Sequence, residues 1–283
     1  MSAPEPLADP VAEQRLLAGA LERSLRRRQA MGQRRVALSE PIVELPPAAQ
    51  PTPEAQAAAP SMPAAPGMPA APSMPAAPSA ALTTDQVQAR AAAVASLAAQ
   101  AESLEDLQKA VSECTACGLC SSRTQTVFAD GSGKRGVFFL GEAPGEEEDQ
   151  RGVPFVGPAG QLLSDIIEKG MKIPRAEVSI SNALKCRPPG DRQALPEELA
   201  ICAGWLERQI ELTSPTVLVA LGSRTAQFLL QSEQSMEQLR GQVHQRQGRQ
   251  VVSTWHPTRL LRSPEKKSEC WQDIKLAMGL LGL

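Results

Sequence analysis

No apolar run in the 283 residues approaches the roughly 18–20 needed to cross a bilayer as a helix, so an integral membrane protein is not expected. Strong charge of either sign is also missing. Lys plus Arg number 29 against 31 Asp plus Glu, a net of -2, and a nucleic-acid partner would have to be met by locally basic surface. The opening "MSAPEPLADPVAEQRLLAGALERSLRRRQ" sets acids before a short apolar patch and arginines after it. A secretory signal has the opposite order. The expected setting is therefore cytoplasmic and reducing, where clustered cysteines serve metals or catalysis rather than disulfides. Glycine keeps no triplet period, which excludes collagen. Tyrosine is absent, and His244 and His256 are the only imidazoles.

The chain divides at about residue 82. Its first part combines a basic, amphipathic helix over 13–36, with Leu16, Leu17, Ala20, Leu21 and Leu25 on one face, and a Pro/Ala-rich linker over 41–82. The linker has no Lys or Arg, holds nearly half the proline, and repeats "SMPAAP" at 61–66 and 73–78 with "GMPAAP" between. Such a segment cannot bury enough apolar surface to offset its ordering entropy, so residues 1–82 are expected to form a disordered arm. The arm reads as a tethered peptide for a protein partner or nucleic-acid phosphates, or as a solvated tail.

Residues 83–283 read as one domain. A helix capped near Thr83 is expected to run to about Val111. Beyond it, four apolar runs at 136–145, 178–182, 216–222 and 250–257 read as buried strands. Helical spacing fills 159–170, 196–213 and 223–231 between them. Alternation of this kind predicts a three-layer α/β/α fold around a central, mostly parallel four-stranded sheet. Function in such sheets gathers at the strands' carboxyl ends, where Glu142, Asn182, Gly222 and His256 fall. His244, in "GQVHQRQG", reads as an exposed loop residue.

Three of the six cysteines crowd into "CTACGLC" (114–120), with Cys186, Cys202 and Cys270 beyond. The C-x2-C-x2-C run resembles bacterial ferredoxins but lacks their following C-x3-C-P. Zinc prefers two close pairs, which Cys186 and Cys202 do not make. An iron–sulfur cluster tolerates irregular spacing, and buried free thiols remain the plain alternative.

"CTACGLCSSR", "GEAPGEEED", "PFVGPAGQLL", "NALKCRPP", "ALG" and "TWHPTRLLRSP" resemble, in order and spacing, the motifs of the iron–sulfur (family 4) uracil-DNA glycosylases. The resemblance runs from about residue 105 to the C-terminus. It implies a DNA-repair enzyme that hydrolyses the glycosidic bond of uracil in DNA and leaves an abasic site, and a monomer is expected. The family's C-x2-C-x-L-x3-R falls on Cys114, Cys117, Leu119 and Arg123, and its other two ligands on Cys186 and Cys202. A structural [4Fe-4S] cluster on those four cysteines is implied, with Cys120 and Cys270 outside it.

The resemblance also assigns a pocket. Phe155 would stack on the base, although core packing is the commoner fate of such a residue. Asn182 would accept from uracil N3–H and donate to O4, a pattern that cytosine reverses. His256 would stabilise the charge that bond cleavage leaves on O2. Glu142 or Glu148 would serve the water or the cationic sugar. Leu260 or Leu261 would fill the space left by the flipped nucleotide. Arg262, Lys266, Lys267, Arg187 and Arg192 would meet phosphates. Trp255, Thr258 and Arg259 depart from the family's usual "TYHPAYLLR", and Asp191 replaces its usual Asn. A non-catalytic iron–sulfur DNA-binding or scaffold protein of the same fold is the alternative.

Overall fold

The computed structural model describes residues 82–283. The arm, helix over 13–36 and linker expected from the sequence fall on residues 1–81, outside the described residues, with Leu82 alone within them. Nine helices and five strands are named here. They are α1 (Thr84–Ala99), α2 (Leu104–Ser112), β1 (Val137–Gly141), α3 (Glu146–Arg151), α4 (Pro158–Asp165), β2 (Ser179–Asn182) and α5 (Pro196–Thr213). There follow β3 (Val217–Leu221), α6 (Ser223–Leu230), α7 (Met236–Leu239), β4 (Val243–Arg246), β5 (Arg249–Thr254), α8 (Pro257–Arg262) and α9 (Lys267–Leu280). Among the described residues, no helix is long and apolar enough to cross a membrane.

The expected helix from Thr83 to Val111 is two. Thr83 and Gln86 form a reciprocal cap at the start of α1. A second N-cap, Ser103, accepts from Asp106 N at 3.1 Å and restarts the chain as α2. That break turns Leu107 and Val111 into the core, where both are buried.

The sheet order is β2-β1-β3-β5-β4. The four anticipated strands pair in parallel, and β4 adds a fifth, antiparallel to β5 at one edge. Sequence reading missed β4 because "VHQR" carries no apolar run. An edge strand that hydrogen-bonds on one side needs none. His244 is accordingly on a strand rather than in a loop, with its Nε2 2.8 Å from the Leu239 carbonyl oxygen.

Strand side chains alternate between faces, and the alternation separates two cores. Val137, Phe139, Val217, Val219 and Val252 pack with Leu163 of α4, Leu260 of α8 and Ile274 of α9. Phe138, Leu140, Leu218, Ala220 and Val251 pack instead with Leu206 and Ile210 of α5 and Leu229 of α6. Each fully buried Phe or Leu contributes on the order of 1.5–3 kcal/mol, and register is fixed because a one-residue slip would exchange the faces. A third core joins α1, α2 and α5 around Leu107, Leu119, Phe128, Trp205, Cys186 and Cys202.

Candidate active site

Parallel register brings the carboxyl ends of four strands to one edge. Gly141 lies opposite Asn182, and Leu221 opposite Thr254. Glu142 and Gly222 follow these ends directly, and His256 comes two residues after Thr254. With residues of the segments 143–159 and 188–193 they line a cavity of about 510 Å³.

Phe155, Asn182 and His256 meet on its wall. Asn182 is 2% exposed, and its Oδ1 has no hydrogen-bond partner. Buried acceptors are rarely left so. The Phe155 ring stands 5.7 Å from that of His256, tilted by 35°. Phe155 is both core and cavity wall, so the two readings of this residue are compatible. Its backbone is left-handed, with φ 54°, a conformation that strains a bulky residue by about 1–3 kcal/mol.

Two glycines make this arrangement fit. A Cβ on Gly141 would collide with Asn182 Oδ1 and the tip of the Phe155 ring, and one on Gly160 with the Phe155 carbonyl. Sequence reading passed over both. Glycine as the last residue of an otherwise bulky strand was the available signal.

His256 caps α8, and its Nδ1 accepts from Thr258 N at 3.2 Å. The neutral ring therefore carries its proton on Nε2. Burial pushes its pKa from 6.5 down to about 4, against the opposing charge of Glu148 and with help from Arg262. Trp255 donates from Nε1 to Glu269 Oε2 at 2.9 Å, tying the histidine loop to α9. The tryptophan thus has a positional role.

The two candidate carboxylates differ in their freedom. Glu148 accepts from Gly145 N on one oxygen, and from Val156 N and Gly157 N at 3.0 and 3.2 Å on the other. It clamps the strained Phe155 segment onto α3. Glu142 accepts one bond, from Ala194 N to Oε1 at 2.8 Å. Both line the cavity.

The expected DNA contacts sort by pairing and exposure. Leu260 is buried, whereas Leu261 is 45% exposed, so only Leu261 is available as a wedge. Arg262 lines the cavity beside Arg259. Lys267 is exposed. Lys266 is held by Glu269 and lies over the Trp255 ring. Arg187 is engaged by Asp191 and Glu146, and Arg192 by Glu198. Arg224, which donates to Gln193, joins the cavity rim unanticipated. Its position in the first turn of the helix after "ALG" was the legible cue.

On the far side of the Asn182 loop, Cys114, Cys117, Cys120, Cys186 and Cys202 line a second cavity with Arg123, Lys185, Ile201 and Trp205. Cys270 is elsewhere, in the α9 core. Cys120, expected to stand apart, shares the wall. Arg123 Nη1 reaches Cys186 Sγ at 3.2 Å. Burial pushes the Cys117 thiol up to about 11 and that of Cys202 up to about 12. Lys185, 1% exposed, donates to Ser181 Oγ, the Asn182 carbonyl and Gln209 Oε1 at 2.7, 2.8 and 2.7 Å. Among the described residues, no group of three or more His, Cys, Asp or Glu side chains is arranged to hold a metal ion.

The model of the Uracil DNA glycosylase superfamily matches residues 128–275. The chain is 40% identical over 185 residues to a Type-4 uracil-DNA glycosylase of Thermotoga maritima, spanning 64% of this chain and 95% of that protein. It is 36% identical to one of Archaeoglobus fulgidus, over 64% and 94% of the two chains. It is 34% identical to one of Sulfurisphaera tokodaii, over 62% and 83%. A matched segment that begins at Phe128 and ends within α9 takes in every strand and the whole cavity: this chain belongs to the uracil DNA glycosylase superfamily.

Proposed function

We propose that this chain is a uracil-DNA glycosylase, which hydrolyses the bond between uracil and deoxyribose and leaves an abasic site. The observation that carries the reading is the unpartnered, buried Oδ1 of Asn182 beside the Phe155 ring. An acceptor fixed there suits uracil N3–H and meets a lone pair in cytosine. The flipped base would lie against Phe155. His256, neutral and protonated on Nε2, would donate to O2 as negative charge develops there. Glu142, less committed to backbone amides than Glu148, is the better carboxylate to orient water or face the cationic sugar. Glu148 would hold the Phe155 segment in place.

The thiol cavity suits a [4Fe-4S] cluster bound by Cys114, Cys117, Cys186 and Cys202. Its donors are thiols without carboxylates, its shell is largely apolar, and Arg123 and Lys185 offset negative charge. Such a group draws thiolates from around itself rather than onto one ion, and a bound cation would overcome the thiols' reluctance to ionise. Its contribution is structural, joining residues 114–123 to Cys186 and α5. Leu261, Arg259, Arg262 and Lys267 would face the DNA. The fuller reading is a monomer in a reducing, cytoplasmic setting, with the arm as a tether for a partner.

The test is incubation with a labelled oligomer bearing one uracil, followed by alkali. Breakage at uracil, absent from a thymine control, is expected. No breakage by folded, iron-loaded protein would move the reading to a non-catalytic DNA-binding protein.

A further inference from the structure

Trp205 lies on α5, three residues beyond Cys202, so the two side chains share a helical face. Its side chain is 1% exposed and forms part of the thiol cavity's wall. Its indole Nε1–H has no hydrogen-bond partner. Indole carries one donor and no acceptor, and a buried donor left unpaired costs about 1–3 kcal/mol. Phenylalanine would fill most of that space without that penalty.

The two cationic side chains at this cavity both have partners. Lys185 directs its ammonium at Ser181, Asn182 and Gln209. Arg123 reaches Cys186 Sγ with Nη1 and the Ser112 carbonyl with Nη2. The side chains that line the cavity with Trp205 are aliphatic, cationic or thiol. The side-chain acceptors they offer an N–H are therefore sulfur, whether of a cysteine or of a sulfide bound among the cysteines.

We infer that the Trp205 indole N–H donates a hydrogen bond to a sulfur of the iron–sulfur cluster, and with Arg123 favours its reduced, more negative form. The inference rests on the four-thiolate reading above. Hydrogen bonds to cluster sulfur and nearby positive charge both raise a cluster's reduction potential.

The experiment compares the full chain with its Trp205→Phe variant, both purified without oxygen. Iron and sulfide content are measured first. The midpoint potential follows by film voltammetry, then the Fe–S stretching bands by resonance Raman in H2O and D2O. The expected result is equal iron and sulfide, a more negative midpoint potential in Trp205→Phe, and loss of part of the deuterium sensitivity of the Fe–S bands. Equal potentials and spectra in two loaded proteins would overturn the role of Trp205 and leave the cluster standing. Absence of iron and sulfide from the wild-type chain would overturn the cluster, and this inference with it. Should Trp205→Phe fail to fold or load, pulsed EPR of the reduced wild-type chain, grown with 15N-indole tryptophan, reads the contact directly. Coupling to 15N supports the inference and its absence overturns it.

Discussion

His256 depends on a protonation state that its surroundings dictate. Thr258 N occupies Nδ1, and burial lowers the pKa from 6.5 to about 4. The imidazole is then neutral across the whole neutral range and acts as a hydrogen-bond donor rather than a general acid. Excision should therefore be flat from about pH 5.5 to 8 and fall only toward pH 4. A pH–rate profile under single turnover measures this, and a midpoint near the ordinary histidine value would contradict it. Stability follows the same sign. The unfolded chain takes up a proton below pH 6.5 where the native chain does not, so this contribution is full above 6.5 and is lost as pH falls toward 4. His256→Ala should lower kcat by about 10²–10³-fold, the usual effect of removing one charge-stabilising donor.

The two glutamates separate by the same reasoning. Glu148→Ala removes an acceptor shared by three backbone amides and should destabilise by about 1–3 kcal/mol, measured by urea unfolding. Glu142→Gln should leave unfolding unchanged and reduce kcat by at least about tenfold. The reverse pattern would exchange their roles. Sequence could not make this distinction. Both lie in one acidic stretch, and only tertiary structure brings Val156 and Gly157 to Glu148.

At the level of elements, α8 carries two adjacent leucines with opposite fates. Leu260→Ala should destabilise by about 2–5 kcal/mol, because Leu260 packs with Leu163 and Ile274 in the α4–α9 core. Leu261→Ala should leave stability within about 0.5 kcal/mol. It should slow excision from duplex more than from single strands, because only a duplex leaves a gap to fill. Thermal unfolding and paired rate measurements on the two substrates check both. Equal slowing on the two DNA forms would remove the wedge. The sequence left either leucine open as the wedge, because which of them points inward depends on where Pro257 sets the start of α8.

Elements with strong apolar runs or 3.6-residue spacing were legible: the four parallel strands, α5 and α6. The break between α1 and α2 was signalled by Ser103 and Asp106, which composition alone hides in a helix-favouring stretch. The edge strand β4 left no apolar trace because its pairing partner β5 supplies the order. Of the candidate site, Asn182, Phe155 and His256 were legible through motif and strand-end position. Gly141 and Gly160 act by the atoms they omit, which becomes visible only when Phe155 and Asn182 are seen converging.

Across the whole molecule, charge decides how the chain can hold DNA. The near-neutral sequence offers little long-range attraction, and Arg187 and Arg192 spend their charge on Asp191, Glu146 and Glu198. Arg224, Arg259, Arg262 and Lys267 remain without a carboxylate partner among the described residues. Four phosphate contacts predict a slope of about -3 to -4 in log K against log salt. Fluorescence anisotropy on an abasic duplex measures it, and a slope of roughly twice that size would mean that further cations, such as those of residues 1–81, also bind.

The most direct test of the account is the excision rate of Asn182→Ala on a single-uracil oligomer, with iron content measured alongside. The account predicts wild-type iron and a fall in kcat/KM of at least about a hundredfold, since the variant loses the acceptor that reads the base. Excision at the wild-type rate by an iron-loaded variant would contradict it.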